Sequence, residues 1–297
     1  PAIPDSHLEY QQLKESDIPM LKRSQVLGEI SKQYQTIAVA GTHGKTTVTS
    51  MIAHILFENN VHLSAFIGGI ANNFTSNLVL SEETNVVVVE ADEFDRSFLT
   101  LHPDIAVITS MDADHLDIYG SQDYLQESFF LFTEQIRNNG TLILAEGLDE
   151  NPKYKYDTIR YSSTQNSRFK IVNLYYKDGR IHFDIKEDNA KHTGFTMAMA
   201  GRHNAENALA ALLACRRYGL SMEQIKSALL SYKGVRRRFD IRINQTNKVY
   251  IDDYAHHPKE LESTIKAARE MYPGKSICGI FQPHLFSRTR DFADDFA

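Results

Sequence analysis

Cysteine is scarce, with only Cys215 and Cys278 in 297 residues. Two thiols so far apart cannot frame a disulfide-stapled secreted domain or a paired-cysteine zinc site, and both read as reduced thiols in apolar surroundings. Long apolar runs are missing as well, which excludes a membrane-spanning helix of about 20 residues. The start of the chain does not read as a signal peptide. Nor is there a surplus of positive charge: 32 Lys and Arg stand against 38 Asp and Glu, a net charge of −6. That balance argues against nucleic acid as the main partner. No internal repeat, low-complexity tract or Ser-His-Asp arrangement occurs, so covalent catalysis through the protein is not expected. What remains, 42% hydrophobic and 24% charged residues, is ordinary for a cytoplasmic globular protein. The length suits about two domains. The chain opens at Pro1 rather than methionine and stops inside a helical pattern, so a piece of a longer enzyme is expected.

The strongest positive signal is TIAVAGTHGKTT at residues 36–47. A β-branched run leads into Gly41, Thr42, His43 and Gly44. Lys45, Thr46 and Thr47 then open an amphipathic stretch over residues 48–57. Strand, glycine turn and helix start make a phosphate cradle, because backbone N–H groups can wrap an anion at the helix N-terminus. Lys45 can reach β- and γ-phosphates and the Thr46 hydroxyl can bind Mg²⁺. The usual spacing would put the first glycine at Val39, so this loop is shortened. The bland alternative is an ordinary turn with a surface lysine. The strand-before, helix-after context favours ATP or GTP.

Around the loop, strands are expected at 63–67, 86–89, 105–109 and 141–145, and helices at 24–33 and 124–137. Residues 68–73 read as a flexible loop. Four consecutive valines at 86–89 fit a strand buried on both faces of a parallel sheet. The alternation predicts a doubly wound α/β core: a P-loop-type central parallel sheet with helices on both faces and a small β extension at 153–199. Helices are then expected at 205–218 and 222–230. The arginines at 236–238 look like a hinge, followed by a strand at 249–252, a helix at 258–270 and a strand at 276–281.

Two acidic clusters follow sheet strands, at the edge where open α/β sheets hold ligands. Glu90 is the candidate Mg²⁺ ligand. Asp92 and Glu93 are as readily solvated charges or helix caps. In DADHLD at residues 112–117, His115 beside carboxylates is a candidate metal ligand, with Asp112 and Asp114 able to orient it.

Taken in order, GTHGKTT (41–47), VEADEFDRSFL (89–99), DADHLDIYG (112–120), GRHNAENALAA (201–211), RRRFD (236–240), IDDYAHHPKE (251–260) and FQPHLFSRTRDF (281–292) resemble the Mur ligases of peptidoglycan synthesis. The resemblance covers essentially the whole chain. It implies the tail of a UDP-binding domain and linker at 1–34, a central ATP-binding domain at 35–235, and the beginning of a Rossmann-like C-terminal domain at 236–297.

The resemblance also implies ATP and Mg²⁺ as cofactors. The implied reaction joins L-alanine to the lactyl carboxylate of UDP-N-acetylmuramate through an acyl phosphate. Its rivals are a recycling ligase that transfers a ready-made tripeptide, and a nucleotide-binding fragment without activity. No nucleic-acid or membrane partner is implied. On this view Lys45 grips the phosphates, while Thr46, Glu90 and His115 hold metal. Asn204 and Asn207 contact nucleotide, Arg238 reaches the γ-phosphate, and Asp253 meets nucleotide from the C-terminal domain. Arg288 and Arg290 receive the amino-acid carboxylate, with His43 and His256 near substrate and His257 lining the same cleft.

Overall fold

The computed structural model describes residues 3–112, 119, 121–154, 156–283 and 286–296, the side chains of Asp95, Ser287, Arg288 and Asp291 excepted. One ten-stranded sheet dominates. Its strands are β1 (Gln35–Ala40), β2 (Leu63–Ala71), β3 (Ser76–Val79), β4 (Val86–Glu90), β5 (Ile105–Ile108), β6 (Thr141–Ala145), β7 (Asp157–Ser162), β8 (Phe169–Lys177), β9 (Arg180–Glu187) and β10 (Ala190–Met197). Their order is β10-β9-β8-β7-β6-β5-β1-β4-β2-β3. From β2 to β8 neighbouring strands run parallel, while β3, β9 and β10 run antiparallel at the edges.

The four valines behave as a doubly buried strand requires. Val86 and Val88 join the core under α3 (Lys45–Glu58) and α5 (Arg202–Tyr218). Val89 joins the opposite core with Phe98, of the 3-10 helix Phe94–Thr100, and with Phe129 and Phe132 of α4 (Gln122–Thr133). The helix α2 (Arg23–Gln33) adds Leu27 to that second layer, whereas α1 (Leu8–Lys14) buries nothing. This α/β architecture, with helices on both faces and a β extension at one edge, agrees with the expectation.

Three local differences have backbone causes. Residues 68–71, expected as loop, complete β2, because their polar groups find partners. Gly68 N–H donates to Glu90 (2.7 Å), Ile70 O accepts from Arg236 N (2.9 Å), and Ala71 bridges Val235. The strands β3 and β7 escaped the sequence pattern, being short or only half-buried. The strand expected at 276–281 is irregular. A strand needs a neighbouring ladder, and among the described residues this segment pairs with none, leaving Ile280 99% exposed.

After α6 (Met222–Leu229), a two-stranded antiparallel sheet of β11 (Asp240–Asn244) and β12 (Val249–Asp252) leads to α7 (Pro258–Met271). This unit packs on the central domain through Ala200, Phe239, Ala267 and Met271. Short helices α8 (Phe286–Asp291) and α9 (Ala293–Phe296) follow.

Candidate functional site

The phosphate loop leaves the end of β1 beside the end of β5. Two glycines make its path possible. Gly41 has φ +130°, and a Cβ there would lie 2.2 Å from Thr109 Oγ1; Gly44 has φ +87° and abuts Asn207. The loop is pinned to the segment after β5: Thr42 N donates to Ser110 O (3.2 Å), His43 N to Ser110 Oγ (2.8 Å) and Thr42 Oγ1 to Asp112 O (2.9 Å). Gly44 then caps α3, whose first-turn N–H groups face the loop.

Lys45 is held at the mouth of this turn. Its Nζ donates to Gly41 O (2.9 Å) and to Glu93 Oε1 (2.8 Å). Burial alone would lower the lysine pKa, but the charge and hydrogen bond of Glu93 outweigh it and hold the group above its ordinary value. One residue on, Thr46 Oγ1 donates to Glu90 Oε1 (3.1 Å), while Glu90 Oε2 accepts from Gly68 N. Burial raises the Glu90 carboxyl, against the pull of Lys45 and these donors. A hydroxyl and a carboxylate side by side, at the edge of an anion-binding loop, are the hard oxygen donors that a magnesium ion takes. Among the described residues there is no group of three or more His, Cys, Asp or Glu side chains able to hold a metal. His115 and Asp114 lie outside the described residues. Glu93 is neither solvated nor a side-chain helix cap: it is 1% exposed.

Across a cleft of about 320 Å³, the N-terminal end of α7 faces the loop. Asn204 and Asn207 line one wall from the first turns of α5; Asn204 Nδ2 donates to Ala200 O (2.6 Å). The other wall carries Arg238, Asp253, Lys259 and Glu260. His43 Nδ1 lies 3.2 Å from Glu260 Oε1, Arg238 is 3.8 Å from the same oxygen, and Lys259 pairs with Asp112. Burial would raise the Glu260 carboxyl. The hydrogen bond and charge of His43 and the N–H of His256 overcome that and hold it well below the carboxylate range. Asp253 accepts from Phe239 N (2.9 Å), Ala255 N (2.8 Å) and Thr264 Oγ1 (3.1 Å), which orient its carboxylate at the cleft wall.

The structure therefore gathers Gly41, Thr42, His43, Gly44, Lys45, Thr46, Thr47 and Glu90 at one sheet edge with Asn204 and Asn207 beside Gly44, and sets Arg238 and Asp253 across the cleft. Of the three hinge arginines, Arg238 lines the cleft, whereas Arg236 and Arg237 are exposed. His256 is tied to Tyr254 O (2.7 Å), and His257 accepts from Lys259 N at the start of α7. Arg290 is exposed on α8, and the Arg288 side chain lies outside the described part. Sequence reasoning missed Glu260 and Lys259 as cleft residues. Glu260 carries a local signal, three residues after the His257 cap in a capping box, but nothing local points to His43.

Comparison with known proteins gives this geometry a context. The Mur ligase middle domain matches residues 39–215, and the Mur ligase glutamate ligase domain matches residues 237–297. Similar curated proteins include the UDP-N-acetylmuramate--L-alanine ligases of Flavobacterium johnsoniae (44% identical) and Flavobacterium psychrophilum (46%), each aligned over all of this chain. The chain spans 65% of the length of those relatives. Among solved structures, UDP-N-acetylmuramate-alanine ligase from Thermotoga maritima matches with a TM-score of 0.84 at 26% identity, over 98% of this chain and 67% of that one. A MurF ligase from Thermotoga maritima, solved in complex with ADP, shares the fold at a TM-score of 0.72 and 18% identity, over 88% of this chain and 64% of that one. With a family match running through the phosphate loop, the acidic sheet edge and the first turns of α5, the chain belongs to the Mur ligase family.

Proposed function

We propose that this chain carries the ATP-binding core of a ligase that joins L-alanine to UDP-N-acetylmuramate in the cytoplasm, in peptidoglycan precursor synthesis. The observation that carries the proposal is the glycine loop with Lys45, faced by Arg238 across a cleft in a chain 44–46% identical to such ligases. Residues 1–34 are assigned to the tail of a UDP-binding domain and linker, 35–235 to the central domain and 236–297 to the beginning of the C-terminal domain.

In this mechanism the loop N–H groups and Lys45 hold the β- and γ-phosphates of ATP. The lactyl carboxylate attacks the γ-phosphorus, ADP departs, and an acyl phosphate forms. The amine of L-alanine then attacks the acyl carbon, and phosphate leaves as the amide forms. The protein's task is placement and charge neutralisation. Arg238 faces the phosphates from the C-terminal side, and Asn204, Asn207 and Asp253 border the nucleotide. Thr46 and Glu90 would hold Mg²⁺, with His115 assigned to metal by family likeness. Bound there, Mg²⁺ neutralises phosphate charge. His43, His256, Arg288 and Arg290 are assigned to substrate, the arginines as a fork for the alanine carboxylate.

The test supplies the full-length gene product with ATP, Mg²⁺, UDP-N-acetylmuramate and either L-alanine or a murein tripeptide. The expected result is an alanine amide and free phosphate. Preferential use of a tripeptide, or a stable phosphorylated product, would overturn the assignment. Lys45→Ala is expected to cut kcat/KM roughly a hundredfold or more while the protein stays folded; unchanged ATP affinity and turnover would remove the cradle.

A further inference from the structure

We infer that Glu93 is a positioning residue for Lys45: its buried carboxylate fixes where the ammonium stands at the phosphate loop, and so where the remaining N–H points. The inference rests on the reading of the loop as an ATP site.

Glu93 stands on a rigid turn. Ala91 N donates to Val39 O (2.8 Å), tying the segment after β4 to β1. The Glu93 carbonyl accepts from Arg96 N (2.9 Å) and from the Tyr119 hydroxyl. The carboxylate, 1% exposed, meets Lys45 Nζ at 2.8 Å, and Gly41 O takes a second ammonium proton at 2.9 Å. An ammonium has three donors. Once two are committed, the tetrahedral nitrogen sets the direction of the third.

Glu90 and Asp92 are the other carboxylates that act on this lysine. Glu90 is engaged by Thr46 and Gly68, and Asp92 accepts from Phe94 N (3.2 Å). Of the three, Glu93 is the one that accepts a hydrogen bond from Lys45. A pair this buried is expensive to desolvate, and a hydrophobic replacement of both partners could serve stability as well. Aim distinguishes it. The same carboxylate also offsets a positive charge, so it weakens raw attraction for a polyanion. Aim and attraction therefore move in opposite directions on mutation.

The experiment compares Glu93→Gln and Glu93→Ala in the full-length gene product. ADP affinity is measured by calorimetry without metal, and ATP-dependent phosphate release with whichever acceptor the wild type uses. Glu93→Gln keeps an acceptor for Lys45 and loses the charge; ADP is expected to bind about three- to tenfold tighter, with kcat within about threefold of wild type. Glu93→Ala loses the aim, and kcat is expected to fall roughly 10- to 100-fold while ADP affinity holds or rises.

A folded Glu93→Ala protein with wild-type kcat would overturn the inference. So would losses of turnover in both variants that only follow a lost folded fraction in thermal melts. Should Glu93→Ala fail to fold, Glu93→Asp takes its place, since it keeps the charge and draws the acceptor back from Lys45, and wild-type kcat in the folded Glu93→Asp protein overturns the inference. Wild-type protein that binds ADP and releases phosphate without forming an alanine amide sinks the substrate reading instead, leaving the variant comparison intact.

Discussion

The central sheet and the C-terminal unit are built on opposite terms. Along β4, Val86 to Val89 are 0–2% exposed, between two helical layers. In the C-terminal unit, β11 and β12 form a two-stranded sheet that sends Ile241 and Ile251 against a core of Ala200, Phe239, Ala267 and Met271, shared with the central domain. The first region is stabilised by apolar area on both faces of a sheet. The second is held against its neighbour by a small apolar contact and by charged pairs from α7. The loop and the carboxylates it needs belong to the rigid region, and the groups that face them across the cleft belong to the loosely attached one.

Mutations sharpen that contrast in order of size. Phe129→Ala, in the central core, is expected to reduce unfolding free energy by about 3–5 kcal/mol. Met271→Ala, in the small interdomain core, should cost about 2 kcal/mol and loosen α7 first. Denaturant unfolding monitored by hydrogen exchange reads both, and equal costs with one cooperative transition would erase the distinction.

The next effect is a pH dependence. His203 lies beside the cleft, and burial lowers its pKa from 6.5 to about 4, with Glu270 and Glu260 opposing. Between those values the unfolded chain takes a proton that the folded chain refuses. Stability is therefore whole above pH 6.5 and declines as pH falls toward 4, by at most about 3 kcal/mol. Thermal midpoints from pH 7 to 4 should show the decline in wild type and lose most of it in His203→Gln.

Glu260→Gln comes third, at about 1–2 kcal/mol. The Glu260 pKa is held well below its ordinary 4.5, so the stability its tie to His43 contributes is whole above pH 4.5, declines as pH falls below that, and is lost only as pH passes the lowered folded-state value. An unaltered acid limb in Glu260→Gln would count against the tie. Lys259→Ala, which removes the half-exposed pair with Asp112, should cost less than about 1 kcal/mol, and less still in high salt.

The meeting of Lys45, Thr46 and Glu90 at one sheet edge was legible because it follows from local order: a buried strand, a glycine turn, a helix start, and a carboxylate where the next parallel strand ends. Seven ordered motifs made the family legible too. Glu93 was not. The choice between solvent and burial depended on layers far away in sequence, with Tyr119 behind its backbone and Lys45 before its side chain. The run at 276–281 had the composition of a strand and lacked a ladder to join. Arg238 could be told from Arg236 and Arg237 only when the cleft gave the three arginines different surroundings.

Alternating apolar runs and turn residues determined, without further help, that this chain makes a parallel sheet bearing a glycine loop at a helix start, because hydrophobic burial and glycine conformation act over a few residues. Tertiary structure alone decided which carboxylate holds Lys45, which arginine meets the cleft, and that Glu260 reaches His43 across 217 positions. Desolvation and Coulomb forces depend on distance in space, and chain order carries no measure of that distance.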